Sequence, residues 1–189
     1  MNMETLLAVC AGLGLSAACG FRVFVPMLIM SIAVHAGHLQ VSPGFDWIGS
    51  TAAVVAFSLA TALEIGGYYI PWVDHFLDTV ATPAAVIAGT VVTASMIMDV
   101  SPFLRWTLAV IAGGGLAGAV QGTTVLARVV STATTGGLGN PLFATLELGG
   151  SVFASLAAVI APFVALFVII GVVGFLGLRA IRNRTPVAL

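Results

Sequence analysis

Five apolar runs organise the chain. Residues 5–34 are apolar apart from Arg22, residues 47–70 carry one charge, Glu64, and residues 79–98, 106–127 and 148–178 carry none. About 20 apolar residues cross a hydrocarbon core as a helix, and a helix satisfies its backbone polar groups internally, so five spanning helices are expected. Trp47, Trp72 and Trp106 fall at run ends, where an indole sits at headgroup level. The last run has 31 residues with Pro162 inside it, and predicts one kinked helix that protrudes. The first run has no basic stretch before it and continues past Arg22, which argues against a cleaved signal peptide.

Between the second and third runs, residues 71–82 predict a short interfacial helix with Pro71 in its first turn. Trp72, Val73, Phe76, Leu77 and Val80 fall on one face, and Asp74, His75, Asp78 and Thr79 on the other. Asp74 and Asp78 are four residues apart and point the same way. With His75 alongside, and with Glu64, Tyr68 and Tyr69 one or two turns back, they are candidate ligands for a divalent cation; a solvated polar face is the simpler reading. His35 and His38 belong to the loop after the first run, on the opposite side of this topology.

Composition gives the class. Of 189 residues, 60% are hydrophobic and 7% charged, with a mean hydropathy of +1.16, against about 25% charged in a soluble domain. The lipid bilayer is therefore the first partner, and residues 1–189 read as a single membrane domain. A net charge of −1 without a basic block makes nucleic acid a poor partner. Cys10 and Cys19 show neither disulfide nor zinc spacing. The cations are all arginine, and Arg179, Arg182 and Arg184 after the last run place the C-terminus in the cytoplasm of a multi-pass protein of the inner (plasma) membrane. Five crossings then put the N-terminus outside, Arg105 inside, and Arg128 with the Asp74–Asp78 segment near the outer face.

Sliding the sequence by 101 residues pairs Leu7, Ala8, Val9, Ala11, Gly12, Gly14, Leu15 and Ala18 with Leu108, Ala109, Val110, Ala112, Gly113, Gly115, Leu116 and Ala119. The same offset pairs Asp46, Gly49, Ser50, Ala53, Ala56 and Ala60 with Glu147, Gly150, Ser151, Ala154, Ala157 and Ala161. Three helices separate equivalent positions, so two unequal inverted repeats are expected, about 5–100 and an incomplete 106–183. An incomplete copy leaves a face uncovered, which points to a homo-oligomer, most simply a two-fold dimer.

Two glycine-rich tracts fall at equivalent places: Gly12, Gly14 and Gly20 in the first helix, Gly113, Gly115 and Gly122 in the fourth. Small residues let helices approach closely; paired glycine interruptions also mark discontinuous helices whose backbone lines a cavity. Arg22 lies deep in the first run, where an unpaired guanidinium costs at least ~2.5 kcal/mol. It needs a carboxylate, with Glu64, Glu147 and Asp99 available, either as a structural salt bridge or as a ligand-binding or gating group. Residues 134–141, rich in Thr and Gly and ending in Asn140 and Pro141, form a turn leading to Glu147. There is no lysine, hence no Walker site, and no nucleophile triad, HExxH or cofactor motif, so neither enzyme activity nor a cofactor is expected.

The stretch Gly20, Phe21, Arg22, Val23, Phe24, Val25, Pro26 after a small-residue helix, Glu64 followed by Pro71, Asp74 and Asp78, then residues 135–141 and Leu146, Glu147, resembles a family of small bacterial integral membrane proteins catalogued only as a domain of unknown function. The likeness covers nearly the whole chain. It implies a polytopic membrane protein in which Arg22, Glu64, Asp74, Asp78, Asn140 and Glu147 matter. Tyr68 and Tyr69 stand where the family pattern leads one to expect an Asp-Lys pair. The sequence thus predicts an all-α polytopic helix bundle. The expected role is that of a small channel or secondary transporter for an ion or small polar solute, or of a structural or lipid-interacting module without a transported substrate.

Overall fold

Pro26 lacks an N–H, and its ring clashes with the carbonyl four residues earlier, which belongs to Arg22; an uninterrupted helix through both is disfavoured by about 3 kcal/mol. The first apolar run accordingly breaks there. The structure, a computed structural model, describes residues 3–70, 73–98, 100–168 and 171, without the side chains of Asp74 and His75. Helix α1 spans Met3–Cys19 and α2 spans Phe24–His35, with Pro26 in the first turn of α2, where its missing donor costs nothing. The turn between them is closed by the amide of Gly20 donating to the Ala17 carbonyl (3.0 Å) and those of Phe21 and Arg22 donating to Ala18 (3.0 and 3.2 Å). Gly20 is required here by proximity: a Cβ would lie 2.5 Å from the Val120 Cβ and 2.6 Å from the Ala117 carbonyl oxygen.

After a 3-10 turn at Asp46–Gly49, α3 covers Thr51–Gly67, capped by the Ser50 hydroxyl, which accepts from the Ala53 amide at 3.1 Å. Helix α4 covers Val73–Met96. Helix α5, Pro102–Leu108, starts on the Ser101 cap and runs through a π segment, Ala109–Gly114, into α6, Gly115–Thr135. Gly136 and Gly137 then take positive φ (64° and 89°), turning the chain within a few residues into α7, Asn140–Ile160. Phe76–Met96, Pro102–Thr135 and Asn140–Ile160 are each long and apolar enough to cross a membrane. No strand occurs among the described residues. The architecture is an all-helical polytopic bundle, as expected, with the first run corrected from one helix to two.

Residue contacts fix the directions. Gly12 meets Met96, and Gly89 meets Ser16, so α1 and α4 are antiparallel. Gly14 meets Ala158, and Ser151 donates to the Ala18 carbonyl, so α7 also opposes α1. Val23 lies by Glu64 while Val34 lies by Gly49, and Ser95 reaches Met30, so α2 runs back alongside α4 toward the end where α1 began. Helices α1 and α2 therefore form a hairpin whose turn is buried. One end of the bundle holds Met3, His35, Gly49, Met96, Pro102 and Ile160; the other holds Gly67, Val73, Thr135 and Asn140.

That added reversal overturns the inverted repeat. Ser16 donates to the Gly113 carbonyl and Gly20 packs on Ala117 and Val120, so α1 runs parallel to the 102–135 helix rather than opposite to it. The second equivalence, 51–67 with 152–168, joins segments of opposite direction, and no single axis relates both pairs. At the 101-residue offset Pro26 corresponds to Ala127 and Gly20 to Gln121, so the second stretch continues as helix where the first turns back. The case for a two-fold dimer from an incomplete repeat falls with it. Residues 3 and 160 lie at the same end, not on opposite sides, while Arg105 and Arg128 do lie toward opposite ends.

Other boundaries shift for local reasons. The polar segment before Thr82 is not a separate interfacial helix: Val73 to Met96 is one helix containing Pro83, and Pro71 and Trp72 lie outside the described residues. The last run is interrupted at Ala161 (φ −139°, ψ 66°), directly before Pro162, and helix resumes at 162–168. Arg179, Arg182 and Arg184 lie outside the described residues.

Packing is small inside and large outside. Ala11, Ala18, Ala85, Ala117, Ser16 and Ser151 are fully or nearly fully buried, whereas Leu63, Phe103, Ile111, Phe153 and Phe167 are exposed. Without a hydrophobic drive between helices in lipid, close backbone approach does the work, and large apolar side chains face the solvent they suit. Trp47 and Trp106, both half-exposed, sit with Phe57 and Phe45 at the end that holds Met96. The bundle is built for a bilayer.

Candidate functional site

The reversal at Gly20–Val23 creates a problem that defines the site. A helix that starts inside a bundle exposes amides with no intrahelical acceptor, and an unsatisfied amide in an apolar medium costs several kcal/mol. Glu64, in the last turn of α3, supplies the acceptors: Oε1 receives the Val23 amide (2.8 Å) and Oε2 the Phe24 amide (3.1 Å). The carboxylate also meets the positive end of the α2 dipole.

Arg22, at the tip of the turn, is 2% exposed. Its Nη2 donates to the Ala144 carbonyl (2.9 Å) and pairs with Glu147 Oε2 (3.4 Å), both on α7. Its guanidinium lies 3.6 Å from the centroid of the Tyr68 ring, and that of Arg128, from α6, lies 4.4 Å from the same centroid. Arg128 grips Glu147 with two nitrogens, Nε to Oε1 at 2.9 Å and Nη2 to Oε2, and reaches Asp78 Oδ1 on α4 with Nη1 at 3.3 Å. Two guanidiniums, three carboxylates and one aromatic ring, drawn from five segments, thus share one buried locus. Nε and Nη1 of Arg22 have no hydrogen-bond partner among the described residues.

Two clefts flank the cluster. One, of about 340 Å³, lies between α2, α3 and α4 and is lined by Val23, Leu63, Glu64, Tyr68, Leu77 and Ala84. The other, of about 370 Å³, lies between α4, α6 and α7 and is lined by Asp78, Val125, Arg128, Thr132 and Asn140. Arg22 lines neither cleft. The cluster is not at the middle of the bundle: Arg128 lies seven residues, about 10 Å, before the end of α6 at Thr135.

Of the residues expected to matter, Arg22, Glu64, Asp78 and Glu147 converge here. Asn140, at the start of α7, lines the same cleft as Asp78 and Arg128 and is linked at 3.3 Å to Thr132 on α6. Asp99 and the side chains of Asp74 and His75 lie outside the described residues, and among the described residues no three His, Cys, Asp or Glu side chains are placed so that they could hold a metal ion. The glycines are mostly packing positions rather than helix breaks. A Cβ on Gly12 would lie 2.9 Å from Met96, on Gly14 2.7 Å from Ala158, and on Gly113 2.6 Å from the Gly89 carbonyl oxygen. Gly115 and Gly122 have open space around them within α6, and only Gly20 marks a break. The expected cavity between the first and fourth runs is replaced by close packing for the same reason.

The sequence does not single out Arg128 as a site residue, and it offers Tyr68 only beside a candidate cation site, not as a ring beneath two guanidiniums. The signal for Arg128 was the polar stripe Gln121, Arg128 and Ser131 along one face of α6, all buried. Tyr68 also stands out as a departure from the expected family pattern.

No curated protein and no solved structure matches the chain. A family profile described as "Domain of unknown function (DUF4126)" matches residues 9–183, nearly its whole length. The chain, with its buried arginine turn and helical membrane bundle, belongs to the DUF4126 family.

Proposed function

We propose that the protein is a small channel or secondary transporter for an ion or small polar solute, working through the Arg22–Tyr68–Arg128–Glu147 cluster without enzyme chemistry or cofactor. The observation that carries this reading is the placement of five charged side chains around a buried helix reversal, with a cleft on either side. Ionisable groups inside a membrane bundle are costly and are retained where they bind or gate. Non-helical backbone at depth is likewise a feature of solute sites in transporters. The arginine-rich C-terminal residues support a cytoplasmic C-terminus in the inner membrane. With the hairpin counted, the Pro102 end then faces the cytoplasm and the charged cluster lies toward the outer face.

Purified protein reconstituted in liposomes is the test, with separate assays for simple anions, protons, alkali cations and divalent cations. Flux of at least one of these is expected, reduced about tenfold or more in Arg22→Gln, the equivalent of ~1.4 kcal/mol. Arg22 is sealed and Glu147 fully engaged, which favours a second reading, a structural or lipid-interacting module. Absence of any flux from folded protein would establish that reading in place of transport.

A further inference from the structure

The cleft between α4, α6 and α7 changes character with depth. Asn140, at the start of α7, and Thr132, in the last turn of α6, line its outer part, toward the end of the bundle. Arg128 lies about one turn deeper, where it meets Asp78, and Val125 lies about one turn deeper again. Val129, which also lines the cleft, is 58% exposed, so the cleft reaches the apolar flank of the bundle that faces lipid. Hydrogen-bonding groups thus lie outermost, two opposite charges below them, and apolar wall alongside and beneath.

The two charges are unequally engaged. Glu147 takes Nε and Nη2 of Arg128, whereas Asp78 meets the same guanidinium at one point, Oδ1 to Nη1 at 3.3 Å. Nη1 bears two N–H groups, and its one hydrogen-bonding contact among the described residues is Asp78, which leaves a donor over. The Asp78 side chain is 19% exposed. A lone anion entering this cleft would be set against Asp78, and a lone cation against Arg128. A group that carries both charges a few bonds apart suits both and leaves the charge of the cluster unchanged. We infer that the cleft binds a phospholipid headgroup composed of a phosphate and a primary ammonium, as in phosphatidylethanolamine. The phosphate accepts from Arg128, a pairing the guanidinium geometry favours, the ammonium donates to Asp78, and an acyl chain lies along Val125 and Val129. The apolar wall and the opening onto the lipid-facing flank favour this source over a dissolved zwitterion, which has no chain to place there.

The test measures thermal unfolding of the purified full-length chain in mixed micelles containing phosphatidylethanolamine, phosphatidylcholine or phosphatidylglycerol with the same acyl chains. Phosphatidylethanolamine should raise Tm by about 3 °C or more over the other two. Phosphatidylcholine carries an ammonium without N–H, and phosphatidylglycerol adds a negative charge beside Asp78. Two variants locate the effect, each read against its own Tm in phosphatidylcholine. Asp78→Asn leaves Arg128 on both oxygens of Glu147 and should bring phosphatidylethanolamine within about 1 °C of phosphatidylcholine. Val125→Trp changes no charge, fills the cleft from its apolar wall, and should remove the preference as well; if one variant fails to fold, the other decides. Equal Tm in the three lipids would overturn the site, as would a preference that the variants retain. A comparable rise with dissolved O-phosphoethanolamine or glycine would overturn the lipid assignment in favour of a free zwitterion. The claim does not depend on transport: lipid preference without flux would uphold the site while the transport reading fails, and flux without lipid preference would do the reverse.

Discussion

Glu147 is shared between two arginines, and the consequences of removing each charge differ accordingly. Glu147→Ala leaves the buried Arg22 guanidinium without its carboxylate and Arg128 with Asp78 alone, and should cost about 3–5 kcal/mol. Arg22→Ala leaves Glu147 still held by Arg128 and should cost less. Combining the two should recover about 0.5–3 kcal/mol relative to the sum, measured by denaturant unfolding in mixed micelles; strict additivity would show that the two side chains do not interact. Tyr68 offers a second test at this scale. Tyr68→Phe keeps a ring beneath both guanidiniums, whereas Tyr68→Leu removes it and should lose about 2 kcal/mol more; equal losses would deny the ring its role. The sequence carried the need for an acid near Arg22, because an unpaired arginine at that depth is untenable. It did not carry the choice between Glu64 and Glu147, which depends on Glu64 being taken up by amides that exist only once the chain has turned back. Arg128 escaped notice because a single arginine near a helix end reads as one that snorkels.

Among the elements, α1 and α2 show how one residue redirects a run whose hydrophobicity is continuous. Periodicity is blind to the reversal, since both arms are apolar on every face; Pro26 and Gly20 hold the information, and their absence at Ala127 and Gln121 leaves the second stretch straight. The internal similarity itself is a shared demand for small residues at helix contacts, not a structural repeat. Gly20→Ala places a Cβ 2.5 Å from Val120 and should destabilise by about 1–3 kcal/mol. Gly122→Ala, with nothing within 4 Å of the added atom, should stabilise by up to about 1 kcal/mol through helix propensity. Unfolding midpoints that move in the same direction for both would contradict the assignment of Gly20 to a close contact.

Across the whole molecule, the hairpin changes the parity of the chain, and with it which segments share a membrane face. An uninterrupted first helix puts residue 4 and residue 38 on opposite faces; a reversal at Gly20–Val23 puts them on the same one. The most direct measurement is side-specific maleimide labelling in sealed membranes, using single cysteines in a background lacking Cys10 and Cys19. Glu4→Cys, His38→Cys and Leu138→Cys are all at exposed positions. Labelling of positions 4 and 38 from one face and of 138 from the other is the predicted result; labelling of 4 and 38 from opposite faces would contradict the buried turn on which the site depends.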